Sequence, residues 1–162
     1  MDPQILDALT ELLGRESHSA NIYQNLVTFF HTGGLPGYSN RMQLRIGRKQ
    51  ARVTQIQNFI SSFGTSPGRI PSPAPIPVFT DPIAALTFIN NYQIETKLLM
   101  NRIIAMENLP GGITTTAFVR NLVEEQTEEE ATASELLERT RIRYSGPMPR
   151  NIQLKAIDYN LP

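Results

Sequence analysis

The chain contains no cysteine, which excludes disulfides, thiolate metal ligands and cysteine nucleophiles together. It also lacks an excess of either charge. Lys plus Arg number 15 against 15 Asp plus Glu, a formal net charge of +0, so no overall field draws the molecule onto nucleic acid or an anionic membrane. A partner of that kind needs a local patch. No apolar run approaches the roughly 20 residues needed to cross a bilayer, and no membrane association is expected. The opening residues Met1-Asp2-Pro3-Gln4 lack the basic start and apolar stretch of a secretion signal, so a cytoplasmic location is expected. What remains is a globular composition, 40% apolar and 19% charged over 162 residues. That length suits one domain spanning 1–162 with one sizeable core.

Apolar residues recur at helical spacing in four stretches. Ile5, Leu9, Leu12, Leu13, Tyr23, Leu26 and Phe30 mark a first helix over about 3–31, with Asp2 as cap and Pro3 in the first turn. Gly33 and Gly34 break it. Pro36 opens a second helix over about 36–63, carrying Tyr38, Met42, Ile46, Val53, Ile56 and Ile60. Asp81-Pro82 repeats the cap-plus-proline signal before a third helix over about 82–108, which Pro110-Gly111-Gly112 closes. A fourth, over about 114–143, carries Phe118, Leu122, Ala133, Leu136 and Leu137. Residues near 152–160 allow a short fifth.

Between the second and third helices, Gly64 to Thr80 holds Pro67, Pro71, Pro73, Pro75 and Pro77 and must be extended. At about 3.1 Å per residue it reaches roughly 50 Å, more than the roughly 42 Å length of the second helix. It can therefore run the whole length of the molecule. The other connections are short, so helices one and two, and three and four, form antiparallel hairpins, and the crossover makes two and three parallel. The expected fold is all-α, a four-helix bundle with one long crossover.

Each apolar stripe is interrupted near mid-helix by polar residues. Glu16 interrupts the first, Glu95 the third, Gln126 and Glu129 the fourth, and Lys49, with Arg52 one turn on, the second. The expectation is one buried polar layer of three carboxylates and two cations. Isolated buried carboxylates are costly unless paired, metal-bound or protonated. In di-metal carboxylate bundles the metals supply the counter-charge, held by glutamates and a Glu-x-x-His motif on each of two helices. No Glu-x-x-His occurs here. Lys49-Gln50-Ala51-Arg52 stands in that place, so the lysine and arginine are expected to replace the metals.

These residues resemble those of the ferritin family, bacterial non-haem ferritins in particular, over nearly the whole chain. The resemblance rests on the Glu16-to-Tyr23 spacing, the turn Gly34-Leu35-Pro36-Gly37, the run Val123 to Glu130 and the tail Leu154 to Leu161. It implies a ferritin-like bundle with a short C-terminal fifth helix, in a hollow homo-oligomeric cage, most often of 24 subunits, that oxidises ferrous iron at a di-iron centre and stores it as mineral. Carried over by position, Glu16, Glu95, Gln126 and Glu129 match the ferroxidase layer, with Tyr23 beside it. Lys49 and Arg52 stand where the family has its bridging Glu and its His. Cations repel iron and offer it no lone pair, so a degenerate centre without ferroxidase activity is expected. Glu16, Glu95, Glu129, Glu125 and Glu128 remain only as weak metal ligands. Arg48, Ala51 and Thr54 replace the carboxylates that seed mineral in relatives. Gln50 occupies the position of a haem-binding relative's axial Met, so no haem is expected and no cofactor is tightly bound.

The leading expectation is therefore an iron-binding and storage cage subunit without its own oxidation step, iron entering as cargo, alone or beside a ferroxidase-active partner subunit. The alternative is a cage repurposed for structure or DNA protection. Arg41, Arg45, Arg48 and Arg52 form a basic stripe at helical spacing that phosphates would suit. Pairing with fourth-helix carboxylates is the favoured account of it, so a nucleic-acid partner is not expected.

Overall fold

The computed structural model describes residues 1–144 together with Lys155, Ile157, Asp158 and Leu161. Four helices follow one another: α1 Pro3–Thr32, α2 Pro36–Ser62, α3 Pro82–Ile104 and α4 Gly112–Tyr144. No strand occurs among the described residues. The starts of α1 and α3 follow the local chemistry of their sequences. The Asp2 carboxylate accepts from the Gln4 amide at 2.8 Å and that of Asp81 from the Ala84 amide at 2.9 Å, each with proline at the first helical position. Gly34, at φ +73°, takes the left-handed turn that reverses the chain from α1 into α2.

The helix α3 ends at Ile104 rather than near 108. Beyond it the amides of Met106, Glu107 and Leu109 bond to carbonyls three residues back, tightening the chain into turns before α4 starts at Gly112. Most of the expected fifth helix over about 152–160 lies outside the described residues; Lys155, Ile157 and Asp158 are helical. Asp158 completes α2, whose own N-cap, Leu35, offers no side-chain acceptor. Its carboxylate accepts from the buried Tyr38 amide at 2.7 Å, placing a negative charge at the positive end of the helix.

Side-chain pairings give the directions of the rods. Along α1 and α3, Glu11 meets Arg102 and Arg15 meets Tyr92 and Thr96, so these helices run antiparallel. Along α2 and α4, Tyr38 meets Thr140, Arg52 meets Gln126 and Phe59 stacks on Phe118, again antiparallel. With two antiparallel hairpins, α2 and α3 are parallel. The proline-rich crossover lies along α1: Gly68 bonds to Thr10, Ile70 packs by Gly14, and Phe79 meets Phe29. Its extended backbone keeps pace with the helix because each residue advances about twice as far.

The core is split in two. Ile22, Leu26, Phe30, Tyr38, Met42, Ile46, Leu86, Ile89, Leu136 and Leu137 belong to one apolar cluster. Leu9, Leu12, Leu13, Ile56, Ile60, Leu99, Met100, Ile103, Val119 and Leu122 belong to the other. On every helix the gap between them falls at mid-length: 13 to 22, 46 to 56, 89 to 99, 122 to 136. A polar layer fills that gap.

Candidate functional site

Lys49 is the centre of the layer, fully buried on α2. Its Nζ lies 2.7 Å from Glu129 Oε2 and 3.2 Å from Glu16 Oε2. It donates to Gln93 Oε1 at 3.1 Å and Gln126 Oε1 at 3.3 Å. The ammonium thus collects oxygens from α1, α3 and α4, the three helices facing its own. One turn on, Arg52 is 1% exposed. Its Nη1 donates to Glu16 at 3.2 Å and Gln126 at 2.8 Å; its Nη2 donates to Glu129 at 3.1 Å and to the half-exposed Glu125 at 3.2 Å. Both carboxylates therefore bridge the same two cations, one oxygen to each.

The glutamines lock this arrangement. Gln126 Nε2 donates to Gln93 Oε1 at 2.7 Å and to the Gln93 carbonyl at 3.0 Å. Gln93 Nε2 donates to Ser19 Oγ at 3.2 Å and the Tyr23 hydroxyl at 3.1 Å. A cooperative network of this kind is worth keeping whole, since any buried group left unpaired bears its full desolvation cost.

Burial and charge compete at each titrating member. Burial pushes the Glu129 carboxyl up, but the neighbouring Lys49 and Arg52 together outweigh it and hold the group below its ordinary value. Burial lowers the Arg52 guanidinium, and Glu16 with Glu129 more than reverses this, so it titrates above the ordinary value. Burial raises the Tyr23 phenol, helped by Glu129, so it stays protonated.

The structure corrects the reading of α3. Glu95 does not enter the layer; its side chain is 64% exposed and pairs with Arg15 at 3.3 Å. Arg15 lies over the Tyr92 ring at 4.2 Å and donates to the Tyr92 carbonyl and Thr96 hydroxyl, holding α1 to α3 from outside. The buried face of α3 runs through Ile89, Gln93, Thr96 and Met100. It is rotated by about 100° per residue from the face through Phe88, Tyr92 and Glu95, so Gln93 is the inward group. The charge balance changes with it: Glu16 and Glu129 cancel Lys49 and Arg52, with Glu125 at the rim. Glu16, Tyr23, Lys49, Arg52, Gln126 and Glu129 are buried together, and both cations point inward. Ser19, Gln93 and Thr96 join them.

The residues present do not fit a pair of metal ions. Lys49 stands among the oxygens that would have to be ligands, and Arg52 takes the remaining ones. His18 packs edge-on against Tyr92 and His31 is exposed at the end of α1, so no imidazole reaches the layer. Among the described residues no group of three or more His, Cys, Asp or Glu side chains is placed to hold a metal ion. Glu128 is exposed and Glu125 is engaged by Arg52. The expected pairing of the basic stripe with α4 carboxylates holds only at the interior Arg52; Arg41 and Arg45 are partly buried and Arg48 is exposed, and none of these three makes an ion pair among the described residues.

The Ferritin-like domain family matches the chain over residues 6–142. The chain belongs to the ferritin family. Its backbone superposes on that of an open-pore ferritin from the hyperthermophilic archaeon Archaeoglobus fulgidus with TM-score 0.83 at 24% identity, covering 99% of this chain and 97% of that one. A humanized archaeal ferritin gives 0.85 at 24% identity, covering 99% and 95%. The ferritin of Chlorobium tepidum gives 0.82 at 21% identity, covering 98% and 96%. At these identities the likeness to solved ferritins is one of fold. No curated protein sequence matches the chain. No helix among the described residues is long and apolar enough to cross a membrane.

Proposed function

We propose that this chain is a cytoplasmic ferritin subunit that assembles with copies of itself into a cage, of 24 subunits as the leading case, and handles iron as cargo without a di-iron oxidation step of its own. One observation carries the reading: Lys49 and Arg52, buried at mid-bundle, bond to both carboxylates that would otherwise face metal. Two internal cations do by fixed charge what bound iron would do by coordination. They neutralise both carboxylates and put positive charge where a ferrous ion would have to sit, while offering it no lone pair themselves. Oxidation then falls to the solution or to a ferroxidase-active partner subunit. Large apolar side chains left on the outside, Leu98 at 63% and Ile113 at 74% exposed among them, suit a subunit with neighbours.

The test is anaerobic ferrous loading of the purified assembly followed by air. Oxidation should run no faster than in protein-free buffer, while iron retained with the assembly after gel filtration reports storage; saturable, rapid oxidation by the unaltered protein refutes the proposal. In the other direction, Lys49→Glu with Arg52→His should create ferrous binding, and adding Gln93→Glu should strengthen it. A folded triple variant that binds no metal overturns the ligand assignment.

A further inference from the structure

Beside the ion-pair layer, toward the first apolar cluster, α2 and α4 leave a cavity of about 20 Å³ lined by Tyr23, Arg41, Met42, Arg45, Ile89 and Leu136, among others. One water-sized species needs about 10–15 Å³, so the space admits a single small occupant. The polar groups around it are short of acceptors. The Tyr23 hydroxyl accepts from Gln93 at 3.1 Å, and its own proton meets no acceptor among the described residues. The Thr132 hydroxyl already donates to the Glu128 carbonyl. Arg41 and Arg45, both partly buried, make no hydrogen bond or ion pair among the described residues.

The local charge is unbalanced in the same sense. The cavity wall holds two guanidiniums, those of Arg41 and Arg45, and no carboxylate. Burial and the neighbouring Arg45 lower the Arg41 guanidinium from its ordinary value. A water molecule would accept the phenol proton but leave that charge uncompensated. A small, weakly hydrated anion accepts from the phenol and the guanidiniums, and tolerates the apolar remainder of the wall. A phosphate is too large for the space.

We propose that this cavity binds one monovalent anion of halide size, chloride in ordinary buffers, through Arg45, Arg41 and the Tyr23 hydroxyl. The site lies outside the Lys49 and Arg52 contacts and does not depend on whether iron is stored.

Crystals grown in sodium bromide, with data at the bromine edge, test it directly. A single anomalous peak should stand in the cavity of each subunit and vanish in Arg45→Gln. In solution, replacing fluoride by bromide at constant ionic strength should raise the melting temperature along a saturating curve, with the rise lost in Arg45→Gln and reduced in Tyr23→Phe. Tyr23→Phe removes only the hydroxyl and keeps the packing, so the comparison survives if Arg45→Gln does not fold. Density without anomalous signal, a bromide peak undiminished in Arg45→Gln, or a melting temperature indifferent to bromide each overturns the proposal.

Discussion

Replacing Lys49 by methionine tests the central contacts with little change in volume. The substitution removes one of two cations and leaves Arg52 alone against Glu16 and Glu129, both within 3% of full burial. Removing one partner of a buried ion pair costs about 3–5 kcal/mol, most of it the penalty of the stranded charge. Lost hydrogen bonds add little here, because Gln126 Oε1 still receives Arg52 at 2.8 Å and Gln93 Oε1 still receives Gln126 at 2.7 Å. The expected loss is therefore set by charge, about 3–5 kcal/mol.

Urea unfolding at a fixed protein concentration measures it, which holds any contribution of subunit association constant. The companion variant Lys49→Met with Glu129→Gln restores neutrality, leaving Glu16 with Arg52. It should recover about 2–3 kcal/mol of the loss, a coupling within the range seen for contacting residues. A single-variant cost under about 1 kcal/mol, or no recovery in the pair, would mean that water screens these charges and that Lys49 is not acting as an internal counter-ion.

Three further outcomes follow from the same geometry. Glu129 titrates below its ordinary value in the folded state, so its contribution to stability is fully present above the unfolded carboxylate value near pH 4.3 and is lost as pH falls through the lower folded value. The urea midpoint should hold steady from pH 7 to about 5 and drop below about pH 4, whereas Glu129→Gln, starting lower, should show a shallower acid loss. On α3, Gln93→Leu should cost about 1–3 kcal/mol by stranding the Lys49, Gln126 and Tyr23 groups, while Glu95→Gln should change stability by less than about 1 kcal/mol, as exposed pairs do; the reverse order would restore Glu95 to the layer. Asp158→Ala should cost about 1–3 kcal/mol by leaving the buried Tyr38 amide without its acceptor, read by thermal unfolding, and an unchanged melting temperature would show that the C-terminal contact is dispensable.

The legibility of this chain follows from where its apolar residues stop. Helices announced themselves through apolar residues at helical spacing on either side of the polar gap and, at α1 and α3, through cap-plus-proline signals, and the proline run between α2 and α3 permitted only an extended crossover. The layer is harder to read because it is made of the residues that erase the stripe. On α1, α2 and α4 the apolar neighbours on both sides bracket the gap closely enough to give Glu16, Lys49, Arg52, Gln126 and Glu129 an address. On α3 two apolar faces exist. Phe88 and Tyr92 are partly buried under Phe79 and Arg15, so they extend an apparent stripe that leads to Glu95, while the interior stripe passes through the uncharged Gln93 and Thr96, which carry no hydrophobic signal at all.

A charge rule would have separated them. Two cations at mid-bundle need two buried carboxylates, and Glu16 and Glu129 already supply both; a third would leave the interior negative and would have to find solvent or another cation. Glu95 finds both outside, against Arg15. Gln93 instead brings an amide, which accepts from Lys49 and donates to Tyr23 without adding charge. An uncharged residue on α3 is thus what a layer closed by lysine and arginine requires. Converting α2 back without α3 should accordingly leave metal binding incomplete: Lys49→Glu with Arg52→His should bind ferrous iron more weakly than the same variant carrying Gln93→Glu, by calorimetric titration under nitrogen, and equal affinity would show that the two helices do not share one site.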